Sequence, residues 1–305
     1  MAKSSLSKMK RIDQRTGYLF LAPAVITLLV VLIAPLFTSL YLSFTKWNYL
    51  DSGSKPEFVG LDNYTKILSN PYDLYSFKVT IMYVLVAVFF QLLLGLGIAL
   101  LISREMRAKN TIRALILFPM MISDVVAALC FRYILHPDFG IVNYYLRIFG
   151  LNVEWGNPTT AFLIIVMAEV WQNTSFAALI LLAGLLGLPS ERLEAAQVDG
   201  AGYFQRFWHI ILPAIKPQIL VVIIFRIMFT IRVFAQPWVL TAGGPSDRTS
   251  VLGINIYRRA FRYYELGEAN ALAWLLIVLS MALILTFVLL LDQREDRVKE
   301  RSNVS

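Results

Sequence analysis

Six stretches of this chain are long and apolar enough to cross a lipid bilayer, and that constrains its fold more than any other feature. They fall at 18–44, 77–103, 111–134, 159–186, 214–240 and 268–291. The hydrocarbon core of a bilayer takes about 20 apolar residues in helical form. Inside it, every backbone polar group must find its partner within the protein, which leaves helices as the natural spanning element here. The expected fold is an all-α integral membrane protein with six transmembrane helices. Composition agrees, with 58% hydrophobic and 16% charged residues, against roughly a quarter charged in soluble domains. One cysteine excludes a disulfide framework, and two histidines argue against a histidine-based metal site.

A basic leader, 1–17, precedes the membrane domain, 18–291, and a short tail, 292–305, follows it. The first apolar run is longer than the core of a secretory signal, about 7–15 residues, so it reads as a retained span. Lys and Arg set the orientation. The leader, the 104–113 turn (Arg104, Arg107, Lys109, Arg113), the loop 187–216 and the tail together carry sixteen. The opposite side carries eight, four of them in 248–262: Arg248, Arg258, Arg259 and Arg262. The excess places both termini in the cytoplasm despite that outer cluster. The net charge of +8 therefore reads as topology, and no nucleic-acid partner is expected. Trp47, Trp155 and Trp238 fall near span ends, as an interfacial belt requires. Cys130 reads as packed or lipid-facing.

Chemistry-bearing residues lie in two places. The first is the inner loop 188–213. Ser190 reads as a helix cap with Glu191 in the first turn, and Ala195 and Ala196 favour helix. Gly200 stops the helix where a turn needs positive φ. A second amphipathic piece with Phe204, Phe207, Trp208, Ile210 and Ile211 leads to Leu212-Pro213. Such a hairpin either lies on the membrane surface or fits a groove on a soluble partner.

The second place is the membrane interior, where polar side chains are costly and face a cavity or a partner helix. Glu169, Gln172, Asn173 and Phe176 share one face of the fourth span, and Arg226, Phe229, Thr230 and Val233 share one face of the fifth. Counted from outer ends near 160 and 240 at about 1.5 Å per residue, Asn173 and Arg226 both lie about 20 Å deep. Glu169 and Arg226 either bind substrate or only neutralise each other; an anion held by Arg226 is a third possibility. Asp124 joins this network or faces a partner helix, and Arg232 is rotated off the shared face.

Glu194-Ala195-Ala196, three residues, Gly200, nine residues, Ile210, one residue and Leu212-Pro213 together resemble the EAA loop of binding-protein-dependent ABC importer permeases. Other segments resemble the carbohydrate, maltose-type members. These are Tyr18-Leu19-Phe20-Leu21-Ala22-Pro23-Ala24, Phe58-Val59-Gly60-Leu61-Asp62-Asn63-Tyr64, Pro137-Asp138-Phe139-Gly140 with Asn143, and Leu240-Thr241-Ala242-Gly243-Gly244-Pro245. The resemblance implies a type I importer permease fold in the bacterial inner membrane. It also implies a second, different permease subunit, two cytoplasmic ABC ATPases and an extracytoplasmic solute-binding protein. Glu194, Ala195, Ala196, Asp199 and Gly200 would contact the ATPase. Glu169, Gln172, Asn173, Phe176, Arg226, Phe229 and Thr230 would line the pathway of a carbohydrate or related small polar solute. The chain lacks a P-loop motif, so the resemblance implies no cofactor in this chain and Mg-ATP in the partner ATPase. The main alternative is a secondary transporter driven by an ion gradient; an anionic sugar derivative or a glycerol-phosphate-like solute is an alternative substrate.

Overall fold

The computed structural model describes residues 18–50, 55–103, 109–151 and 154–302, with the backbone alone for residue 109 and residues 291–302. The expected leader, Arg104 and Arg107 of the inner turn, and the tail side chains lie outside the described residues. Among the described residues four helices are long and apolar enough to cross: α1 (Tyr18–Ser43), α3 (Pro71–Ile102), α7 (Pro158–Leu186) and Leu266–Leu290 of α13 (Leu266–Ser302). Two bent helix pairs pass the same test together, and counting each as one span, the third and the fifth, gives six. The chain divides into two compact units.

The first unit holds the described residues up to Ile67 with Arg259–Trp274. No residue in the apolar window of α1 is buried by protein, as expected of a helix whose solvent is lipid. A two-stranded antiparallel ribbon follows, β1 (Thr45–Lys46) with β2 (Glu57–Phe58), pairing Thr45 with Phe58. The quoted motif around Gly60 explains itself here. Asn63, in α2 (Asp62–Ser69), is buried, and its Nδ2 donates to the carbonyls of Ser43 (2.8 Å) and Thr45 (2.9 Å). It thereby satisfies backbone groups freed where α1 ends. In the same unit Arg259 reaches Glu268 at 3.4 Å.

The second unit holds Leu68–Arg258 and the residues from Leu275 onward. Its centre is the packing of α3 against α7. Gly95 lets the two backbones approach: a Cβ there would sit 2.7 Å from Ala177 Cβ. Small residues at such a crossing are the usual means of close helix packing in membranes. One apolar cluster, including Tyr83, Ala87, Ile165 and Ala168, fills the half away from the 188–213 hairpin, and another, with Ala99, Leu181 and Ile215, the half toward it.

The third and fifth spans depart from the straight helices expected at 111–134 and 214–240. The third consists of α4 (Lys109–Leu117), a 3-10 turn (Phe118–Met121) and α5 (Asp124–Ile134), bent by 96°. Pro119 has no N–H for the ladder, and Ser123 Oγ caps a fresh helix by accepting from Val126 N (3.4 Å). The fifth couples α9 (Tyr203–Ala214) to α10 (Lys216–Thr230) through a 62° bend, between Pro213 and Pro217. It stops at Thr230, and α11 (Ala235–Thr241) is a separate helix. Pro237 has no N–H for the carbonyl of Val233, and Gly253 packs directly on that carbonyl. The depth count for Arg226 assumed an unbroken helix to 240, so its outer reference point does not hold.

The outer motifs again serve the backbone. Asn143, in α6 (Ile141–Ile148), donates to Pro137 O (2.9 Å), and Thr249 Oγ1 donates to Gly244 O (2.7 Å). Arg258, where α12 (Leu252–Tyr257) ends, donates to Asp247 Oδ1 and Tyr72 Oη (2.7 Å each) and Ala242 O (2.8 Å). Burial alone would lower its pKa, but Asp247 and Tyr72 outweigh that and hold it above its ordinary value. The Arg248 guanidinium lies 5.1 Å from the centre of the Tyr75 ring. These two arginines, which run against the charge bias expected for their side, are therefore structural fixtures.

Candidate functional site: a buried polar network and an exposed hairpin

Glu169 and Arg226 form an ion pair, each 4% exposed. All three nitrogens of the guanidinium donate. Nε donates to Gln91 Oε1 (2.9 Å), Nη1 to Asn173 Oδ1 (3.0 Å), and Nη2 to Glu169 Oε1 and Thr230 Oγ1 (2.9 Å). Thr230 in turn donates to Glu169 Oε1 (3.1 Å), and Gln91 Nε2 to the Glu169 carbonyl and carboxylate (3.3 Å each). Tyr83 Oη donates to Glu169 Oε2 (3.5 Å). Three helices, α3, α7 and α10, are thus tied at one depth. A charge pair withdrawn from water is tolerated only when its remaining lone pairs and protons are satisfied in this way.

The polar face expected on α7 does not act as one stripe. Glu169 and Asn173 turn to Arg226. Gln172 turns away: its Nε2 donates to Ile122 O (2.7 Å) and Asp124 Oδ1 (3.0 Å), and its Oε1 accepts from Gln236 Nε2. This second chain joins the break in the third span to the start of α11, so Asp124 belongs to the Gln172 chain and not to the Arg226 network. Phe176 packs on Phe225 (6.1 Å between ring centres), which stacks on Phe229 (6.3 Å). Phe225 and Phe229 are 41% and 49% exposed, and Asn173 is half-buried at the edge of the network. Arg232 is exposed, its guanidinium 5.6 Å from the Phe229 ring centre. An exposed cation and exposed aromatic rings beside a buried ion pair mark a surface not made solely for lipid.

Gln91, Tyr83, Gln236 and Phe225 were not anticipated. Gln91 had a signal, a lone amide within Phe89-Phe90-Gln91-Leu92-Leu93. Gln236, inside what looked like a span end, had none.

The inner-loop hairpin folds as expected, with one shift. Ser190 is the first residue of α8 (Ser190–Val198), and Pro189 occupies the cap without a side-chain bond. Gly200 takes φ +80°, the left-handed conformation that favours glycine. Around it Asp199 N bonds Ala195 O (3.0 Å) and Ala201 N bonds Ala196 O (2.9 Å), closing the helix. Arg206 Nη1 to Gln197 Oε1 (3.0 Å) holds the two arms together. Glu194, Ala195, Asp199 and Gly200 are exposed. Ala195, Ala196 and Asp199 line an open cleft of about 630 Å³ facing His209 and Pro213. Val198, Phe204 and Trp208 are 88%, 75% and 60% exposed, an apolar surface of the kind that marks a partner or a membrane contact.

Residues 91–300 match the family described as binding-protein-dependent transport system inner membrane component. The chain is 36% identical over 296 residues, 96% of it and 95% of the relative, to the trehalose/maltose transport system permease protein MalF of Thermococcus litoralis. It is 34% identical over 285 residues, 93% and 92% of the two chains, to the sulfoquinovosyl glycerol transport system permease protein SmoG of Agrobacterium fabrum. Its fold resembles a chain in the crystal structure of a bacterial ABC transporter that imports the acidic polysaccharide alginate. That match has a TM-score of 0.79 at 22% identity and covers 95% of this chain and 99% of that one. The alternative of an ion-gradient-driven carrier gives way to these findings. The chain belongs to the binding-protein-dependent transport system inner membrane components and is a multi-pass permease subunit of an ABC importer.

Proposed function

We propose that the chain translocates a carbohydrate or closely related polar solute, paired with a second, different permease subunit. On this reading two cytoplasmic ATPases supply the energy as Mg-ATP, and an extracytoplasmic binding protein delivers the solute. The observation that carries it is the coexistence of two features: an exposed hairpin built around Gly200 and a buried polar network in mid-membrane. The first offers a motor a grip. The second can break and re-form as helices move against each other.

In this account Glu194, Ala195, Ala196, Asp199 and Gly200 seat the hairpin in a cleft of the ATPase, with Glu194 toward basic groups and Gly200 allowing close backbone approach. Closure of the two ATPases then shifts α10, directly continuous with the hairpin, relative to α3 and α7. The Arg226–Glu169 pair closes the pathway in the conformation described here. Its opening exposes an arginine, a carboxylate and amides suited to paired hydroxyls, with Phe176 and Phe229 offering ring faces. Gln172 supports the pathway from behind, through Asp124 and Gln236. Because Arg226 is already paired with a carboxylate while Arg232 is exposed, Arg232 is the natural site for an anionic group on the solute. The relatives named for trehalose/maltose and for sulfoquinovosyl glycerol support a sugar substrate class and leave both neutral and acidic sugars in it.

The test is uptake into proteoliposomes holding the full assembly and its binding protein, screened with neutral and acidic sugars. ATP-dependent accumulation of a sugar supports the reading. Accumulation of only non-carbohydrate solutes, or accumulation without ATP, overturns it.

A further inference from the structure

Arg113 carries an unsatisfied donor pair. It lies on α4, the first limb of the broken third span, and its Nε and Nη2 are both buried with no acceptor among the described residues. These are the two donors on one edge of the guanidinium, the parallel fork that grips a carboxylate or phosphate. Leaving them unpaired against apolar walls is unfavourable, so the site is built for an acceptor.

The surroundings say what kind of molecule carries it. Arg113 lines a slot of about 230 Å³. One wall is a single face of α7 running from Ser175 to Leu186, about 16 Å along the helix axis. Ile116 and Leu117 of α4 form the opposite wall, with Ile102 at the mouth. Ile102 and Leu186 are the last residues of α3 and α7, so one end of the slot lies where two spans end, on the side of the hairpin. Helical side chains lean toward the start of their own helix, which for Arg113 is toward that end.

We propose that this slot holds an anionic phospholipid of the leaflet on the hairpin's side. The headgroup phosphate takes Nε and Nη2 of Arg113, and one acyl chain lies along the Ser175–Leu186 face. A carboxylate from a neighbouring subunit would satisfy the fork but leave the long apolar slot open; a lipid fills both. The site is separate from the Arg226 network and independent of which solute is carried.

The test is native mass spectrometry of the purified assembly taken from vesicles of phosphatidylethanolamine and phosphatidylglycerol. The wild-type assembly retains phosphatidylglycerol preferentially. Arg113→Gln, which removes the fork, lowers retention about tenfold, as expected for loss of hydrogen bonds to a charged group. Ala183→Trp, which blocks the slot with Arg113 intact, does the same and decides the matter should Arg113→Gln fail to assemble. Unchanged retention in Ala183→Trp overturns the proposal. So does increased retention in Glu105→Gln, which would assign the fork to that carboxylate, a residue outside those described.

Discussion

Removing both members of the mid-membrane ion pair is predicted to cost much less than the sum of removing each alone. Arg226 and Glu169 are each 4% exposed. In Arg226→Leu the Glu169 carboxylate keeps only Thr230, Gln91 and Tyr83 as donors, with no cation. Breaking a buried pair from one side typically costs about 3–5 kcal/mol. Glu169→Leu leaves the guanidinium with amides and a hydroxyl and no anion, at similar cost. In Glu169→Leu with Arg226→Leu, neither charge remains, and apolar replacement of a buried pair is often neutral. Gln91 and Thr230 then lose acceptors or donors, at about 1–3 kcal/mol per stranded group, so the double variant loses stability but less than the two single variants combined. Two to four degrees per kcal/mol is typical of a domain of about 150–250 residues, so each single variant should lower the melting temperature by about 10 °C. The assay is thermal unfolding of the detergent-purified assembly across the four-member cycle. Single variants that melt with wild type, or a double variant whose loss equals the sum of both, would refute the reasoning.

Other consequences follow from the same geometry. Glu194→Lys should abolish ATP-dependent uptake and ATPase co-purification while leaving membrane insertion intact; uptake at the wild-type rate removes the docking role. Gly200→Val should do the same, because its φ of +80° costs a non-glycine residue about 1–2 kcal/mol; circular dichroism and uptake measured together separate misfolding from lost coupling. Gly95→Leu should destabilise the assembly by about 1–3 kcal/mol through overpacking, since even a Cβ would lie 2.7 Å from Ala177 Cβ; an unchanged melting temperature contradicts that packing. Gln172→Leu should alter transport kinetics by stranding Asp124 and Gln236, and unchanged kinetics would make that chain a scaffold.

Crossing segments were legible because lipid demands one property over a long window, and hydropathy sums that property. Their breaks were not, because a break is decided by one or two residues. Pro119 with Ser123, and Pro237 with Gly253, undo a ladder that the apolar run alone would continue. The meeting of Glu169 with Arg226 was also legible, since an intramembrane charge needs a partner and few were available. The division of labour along α7 was not. Periodicity placed Gln172 beside Glu169 and Asn173, but the amide goes to whichever backbone carbonyl the 96° bend exposes. That bend is set by Pro119 and Ser123 on another span, so the spacing along α7 carries no mark of it. In the hairpin, Gly200 was readable because positive φ and helix termination are local properties of a few residues.

The central claim, that the hairpin is the contact through which the ATPases act, is tested most directly by site-directed thiol chemistry. The chain has a single cysteine, Cys130, so Cys130→Ser gives a clean background for Glu194→Cys. The account predicts that an impermeant thiol reagent labels position 194 in inverted vesicles but not in right-side-out ones. It also predicts that bound ATPase blocks the label and crosslinks to that position. Labelling from the outer face, or labelling unaffected by the ATPase, would contradict it.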